Sequence, residues 1–336
     1  MSCSVPAAPQ PPRAPASLEH MGLTWFIPVM GLSGLSLAWR QAAPLFSEGG
    51  LLVAQLLGAF AALWFVVVLA LTVVRLLRWP HLAHHKWMHP VRYVFMATLP
   101  ASLVLLATVG VSLTGVAAHW DVLWQVGAAA QAALTVAVLL RWMRMHSARW
   151  VGVTPGLLIP VVGNVLVPLA GVALGHTDWS LTQASLGIAL WPVVLVLLVL
   201  RVQHLGWWPD RLRPSIFVLI APPSVIGADL VVWQAGAVPA VICWVLAMAF
   251  VLWAMSQLPK CFDQPFGMGM WSLSFPLAAF ASLSLRVGQA GWLPQWVGLV
   301  ALVLASVVIT ALVRWTFWGL RSGDLLQPEP GPMPKP

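Results

Sequence analysis

Charge is what this sequence has least of. Only 8% of its 336 residues are Asp, Glu, Lys or Arg, where soluble domains carry roughly 25%. That scarcity excludes an ordinary water-exposed domain. Cysteine is as sparse: Cys3, Cys243 and Cys261 stand singly, with no CxxC pair and no even set, and so say nothing about redox chemistry or metal. Acids are almost missing from the apolar stretches, Asp229 being the one exception, and the nine histidines all fall in tails, loops or helix ends. No side chain is therefore placed to ligate a mid-membrane haem or metal, and no inward catalytic constellation is visible. The expectation is a protein that is not an enzyme and holds no cofactor or metal.

What is abundant is apolar sequence, 60% of the chain. A membrane-crossing helix needs about 20 predominantly apolar residues, and ten such runs follow one another at about 22–39, 51–74, 93–117, 122–140, 151–175, 180–200, 214–235, 237–257, 267–288 and 294–313. The fold class expected is an all-α integral membrane protein of ten transmembrane helices in five helical hairpins. The connections are short, so one transmembrane domain occupies residues 21–320. Residues 1–20 and 321–336 are proline-rich and lack the charged-then-apolar order of a signal peptide, so both are expected to be disordered tails.

The formal charge of +8 raises nucleic acid as a partner, but the positions of the basic residues exclude it. Numbering the loops puts 15 of the 17 Lys and Arg on one side of the membrane, with Arg40 and Arg286 on the other. By the positive-inside rule that side is cytoplasmic, and both termini lie there. The basicity records orientation in a cell membrane. Within it, the segment HLAHHKWMH spaces His81, His85 and His89 at four-residue intervals, a spacing open to metal or pH sensing, on a charged connecting stretch before Pro90.

Proline marks a repeat. Each odd-numbered run carries one near its middle, at Pro28, Pro100, Pro160, Pro222 and Pro276. A proline inside a helix removes a backbone hydrogen bond and bends the axis, and in lipid the freed carbonyls need protein or a wet cavity. Five bends in register predict a quasi-fivefold bundle, odd helices inside around a pore and even helices outside, although prolines are also simply commoner in membrane helices than in soluble ones. The odd helices also carry the small and polar residues. Asn164 and Gly171 lie at i+4 and i+11 from Pro160; Ser282 and Arg286 lie at i+7 and i+11 from Phe275, with Ser272 and Ala279 nearby and Leu273, Leu277 and Phe280 opposite. These positions are expected to line a water-filled path, the alternative being serines that hydrogen-bond across packed helices. Asp229, seven residues past Pro222, is expected to pair with Arg286 at the outer mouth. A path of hydroxyls, amide dipoles and one aromatic ring, with no carboxylate ring, suits small anions or neutral solutes better than a coordinated cation.

GLTWFIPVMGLSGLSLAWR at the first run, HPVRYVFMATLPASL entering the third, IAPPSV in the seventh and FGMGMWSLSFPLAAFASLS in the ninth resemble the tellurite-resistance/C4-dicarboxylate transporter family, which includes the plant slow-type anion channels. The resemblance covers about residues 20–320. It implies a homotrimer with a pore in each protomer, lined by the odd helices and closed by a phenylalanine that aligns with Phe275. It also implies chloride- or nitrate-like anions as permeants, or proton-linked export of dicarboxylate, sulfite or tellurite-related oxyanions. Pro276 follows the gate position where some relatives have glycine, and the long cytoplasmic tails of the plant members are missing.

Overall fold

A computed structural model describes residues 17–81, 87–145 and 150–327. Its α-helices are α1 (Ile27–Arg78), α2 (Thr98–Thr114), α3 (Ala118–Arg144), α4 (Leu158–Val165), α5 (Pro168–Gly171), α6 (Thr177–Leu205), α7 (Ala221–Val232), α8 (Ala237–Cys261), α9 (Ser274–Gln289) and α10 (Gln295–Arg321), with no strand among the described residues. The chain is a helical membrane protein: eight helical segments are long and apolar enough to cross a bilayer, and Pro155–Gly171 is a shorter apolar one.

The loop expected between the first two runs is helical, so both belong to α1. This helix nevertheless reverses. A straight helix would hold residues 43 and 50 about 10 Å apart, yet a Cβ on Gly50 would lie 2.9 Å from the Ala43 Cα. The Ser36 hydroxyl donates to the Ala54 carbonyl at 2.7 Å, and the Trp64 indole donates to the Trp25 carbonyl at 3.2 Å. The two arms of α1 therefore run antiparallel. Pro44, inside the helix, removes a backbone donor where the arms turn.

The prolines do something other than bend helix interiors. A 3₁₀ segment precedes each of the five helices concerned: Leu23–Phe26, Tyr93–Ala97, Pro155–Leu157, Asp210–Ile220 and Met268–Leu273. The α-helix starts directly after it, with Pro28 and Pro222 second in α1 and α7, and Pro100, Pro160 and Pro276 third in α2, α4 and α9. First-turn N–H groups have no partner within an α-helix, so a proline is tolerated there without losing a bond. Each proline marks a change from 3₁₀ to α winding. The fifth run breaks again because Pro168 cannot donate to the Asn164 carbonyl, which the Val167 amide reaches at 3.4 Å.

Burial separates two classes of helix. In the most apolar window of Tyr93–Thr114, Asp210–Val232 and Met268–Gln289, 72%, 83% and 89% of residues are buried, against 22–33% for Glu48–Arg78, α3, α6, α8 and α10. The segments with a proline at a 3₁₀-to-α junction are central and the others peripheral. Tryptophan ties the two layers together. Trp271 donates to Thr316 of α10 at 2.8 Å, Trp244 of α8 to Ser284 at 2.9 Å, Trp39 to Ser306 at 3.1 Å and Trp124 of α3 to the Val167 carbonyl at 2.9 Å. An indole N–H in a water-free interior needs such an acceptor.

Of the expected tails, residues 1–16 and 328–336 lie outside the described residues. Leu18–His20 and Asp324–Leu326 form 3₁₀ turns, and the Ser17 amide donates to the Leu326 carbonyl at 3.0 Å.

Candidate functional site

Two cavities lie in line among the central segments. The wider encloses about 80 Å³ and is bordered by all five: Gly34 of α1, Thr108 of α2, Leu169 of α5, Ser224 of α7, and Ala279, Ser282 and Arg286 of α9. The narrower encloses about 30 Å³ toward the helix N-terminal ends, bordered by Ile27, Met30, Ile159, Val218, Trp271, Ser272 and Pro276 among others. Neither has a wall residue from the peripheral helices. Phe275 alone belongs to both walls. Its ring is 5% exposed and rests against α1, where a Cβ on Gly34 would meet the ring Cδ2 at 3.1 Å and a Cβ on Gly31 would lie 2.2 Å from the Ser274 Oγ. Two glycines on α1 thus let α9 approach closely at Ser274 and Phe275.

Their chemistry differs. Ser272 is the one hydroxyl on the narrow cavity, whose wall is otherwise apolar. The wide cavity has Thr108, Ser112, Ser224, Ser282 and the guanidinium of Arg286. Thr108 and Ser224 donate their protons to the carbonyls four residues back, Val104 and Ile220, at 2.8 and 2.7 Å. Their oxygens remain on the wall as acceptors.

Of the positions expected on the path, Phe275, Ser272, Pro276, Ala279, Ser282 and Arg286 come together on these walls. Pro28, Pro100, Pro160, Pro222, Asn164, Gly171 and Asp229 border neither cavity. Asn164 faces the peripheral layer: its Nδ2 donates to Thr135 Oγ1 of α3 and to the Pro160 carbonyl, both at 2.8 Å, and its Oδ1 accepts from Gln183 Nε2 of α6 at 3.0 Å. The expected lining residue is instead the centre of a polar knot, in which the buried amide is satisfied by protein partners. Gly171 is likewise directed outward, since a Cβ there would lie 2.2 Å from Ser180 Oγ and 2.3 Å from the Trp124 ring.

Asp229 is 1% exposed, and neither carboxylate oxygen has a hydrogen-bond partner among the described residues. It makes no contact of ion-pair length with Arg286. The charges sit at the same end of the bundle without the expected direct pair. No cluster of three or more His, Cys, Asp or Glu able to hold a metal occurs among the described residues. Of the His81, His85 and His89 series, His85 lies outside them.

The residues missed were Gly34, Thr108, Ser112 and Ser224. Counting from the prolines reaches Gly34, which stands six residues past one and borders the wide cavity, as do Ala228 and the expected Ser282.

Residues 20–317 match the family model described as SLAC1, voltage-dependent anion channel. The chain belongs to this family. It is similar to a tellurite resistance protein TehA homolog of Haemophilus influenzae, 24% identical over 305 residues, covering 88% of this chain and 89% of the relative. It is also similar to the S-type anion channel SLAH3 of Arabidopsis thaliana, 24% identical over 298 residues, 85% of this chain and 46% of the relative. A third relative is a protein of Schizosaccharomyces pombe named a putative malic acid transport protein, 23% identical over 236 residues, 63% of this chain and 53% of the relative. The family is one of anion channels and transporters, and anion transport is the function class that membership brings to this chain.

Proposed function

We propose that this protein passes small anions, chloride- or nitrate-like, through the central segments of each protomer, and that Phe275 is the gate. One observation supports the gate: Phe275 is the residue common to both cavity walls. An aromatic ring at that point blocks the path sterically, and the apolar walls of the narrow cavity favour its drying. In this reading the chain crosses the membrane ten times. The first arm of α1 and the Pro155–Gly171 segment complete a quasi-fivefold arrangement, both termini face the cytoplasm, and three copies assemble. The basic residues on the cytoplasmic side concentrate anions at the inner mouth.

The test is chloride and nitrate flux from liposomes holding the purified protein. Phe275→Ala is expected to raise flux at least about tenfold, the effect of removing a dewetting barrier of roughly 1.4 kcal/mol. Unchanged flux from a variant that assembles as the wild type does would remove Phe275 from the gate.

A second reading is a proton-linked exporter of dicarboxylate, sulfite or tellurite-related oxyanions, favoured by the buried acid Asp229 and by the name of the fission-yeast relative. Malate flux that follows an imposed pH gradient at zero membrane potential would select the carrier.

A further inference from the structure

We propose that the outer end of the wide cavity is an anion-coordinating site built from Arg286, Ser282 and Ser112, and that Asp229 is the countercharge that keeps its grip weak. The ligand class is a singly charged planar oxyanion, for which nitrate is the probe. That class rests on the anion-passage reading; the site itself rests on where free donors occur.

Two of the four hydroxyls on the wall have already committed their protons. Thr108 and Ser224 donate to their own helices, so they offer lone pairs and repel an anion. The remaining side-chain donors on that wall are Ser112, Ser282 and Arg286, whose side chains make no hydrogen bond among the described residues. Ser282 and Arg286 are separated by four residues on α9 and so share one face of it. Arg286 Nε is buried without a partner, a costly state for a charged donor unless something it can bind reaches it. The donors collect far from the gate, since eleven residues of α9 separate Phe275 from Arg286, about 16 Å of helix. A second cation stands close by, because Arg40 Nε donates to the Ser112 carbonyl at 3.2 Å.

The guanidinium is a planar fork that matches two oxygens of one oxyanion, where a spherical halide meets only one direction of it. Asp229, the buried neighbour of the wall residue Ala228, makes no hydrogen bond to this fork. An arginine alone would hold an anion tightly and slow its exit. A nearby buried carboxylate offsets part of that attraction, and conduction needs binding loose enough to release.

Two measurements on the purified full-length protein test this. One is the rise in melting temperature with sodium nitrate over sodium gluconate at equal ionic strength, which reads binding without transport. The other is nitrate and chloride flux in liposomes. Arg286→Gln is expected to raise the nitrate concentration for half-maximal stabilisation about tenfold. Asp229→Asn is expected to lower that concentration and to slow maximal flux. Arg286→Lys, which keeps the charge without the fork, is expected to retain chloride flux and lose preference for nitrate. It serves as the test should Arg286→Gln fail to fold. A half-maximal concentration that Arg286→Gln leaves unchanged, nitrate preference retained by Arg286→Lys, or no stabilisation of the wild type by nitrate would each overturn the site. Arg286-dependent stabilisation in a protein that carries no anion flux would leave the site standing and discard the passage reading.

Discussion

At Gly34 the ring of Phe275 comes so close that an added methyl group would meet it at 3.1 Å, closer than an ordinary carbon contact of about 3.5–4.0 Å. Gly34→Ala is therefore expected to displace the ring and change anion flux severalfold. The effect should shrink in a Phe275→Ala background, since residues in contact couple in a double-mutant cycle. Equal effects in both backgrounds would separate Gly34 from the ring. Asn164 illustrates the opposite case, a polar residue in a central helix that touches neither cavity. Asn164→Leu would remove one acceptor of Gln183 Nε2, which keeps its bond to the Ala128 carbonyl, and one donor to Thr135, costing about 2 kcal/mol. A lowered melting temperature with an unchanged nitrate-to-chloride flux ratio is the expected result. Both residues show how far position on a helical wheel carries. The wheel separates one face from another, and a central helix has two faces that are buried for different reasons.

At the scale of elements, the five prolines were legible and their meaning was not. Their recurrence identified the central helices, because they occur in the segments that the fold buries. Their expected action, bending a helix in mid-course, was replaced by a place in the first α-turn after a 3₁₀ segment. Periodicity cannot distinguish the two, since 3.0 and 3.6 residues per turn diverge little over one or two turns. The distinction has a measurable consequence. Pro276→Ala restores an N–H at a position that does not need its bond, and its cost should stay below about 1 kcal/mol. Ala281→Pro, inside α9, should cost about 3 kcal/mol or more. Thermal melts of the two purified variants compare them directly, and a large loss at Pro276 would argue for a bend after all.

For the whole molecule, the asymmetry of Lys and Arg predicts which ends of the helices face the cytoplasm. Val116 lies between α2 and α3 and Trp207 between α6 and α7, both more than half exposed. With Cys3 replaced by serine, and Cys243 and Cys261 already buried, a membrane-impermeant maleimide should label Val116→Cys in intact cells. It should reach Trp207→Cys only after permeabilisation, and the reverse pattern would invert the proposed orientation. The family was legible in four short strings, because the residues around the proline junctions carry its pattern while the apolar stretches between them match many membrane proteins. By itself the sequence determined that the chain is a helical membrane protein and which of its apolar segments carry prolines, since lipid imposes length and hydropathy on each segment separately. Only the tertiary structure decided which polar residues face a cavity and which knot the layers together. It also decided that Asp229 and Arg286 make no direct ion pair and that Phe275 borders both cavities. Those outcomes depend on distances between helices, set by residues such as the glycines at 31 and 34, whose missing side chains admit a partner more than 200 residues away, and no local pattern encodes them.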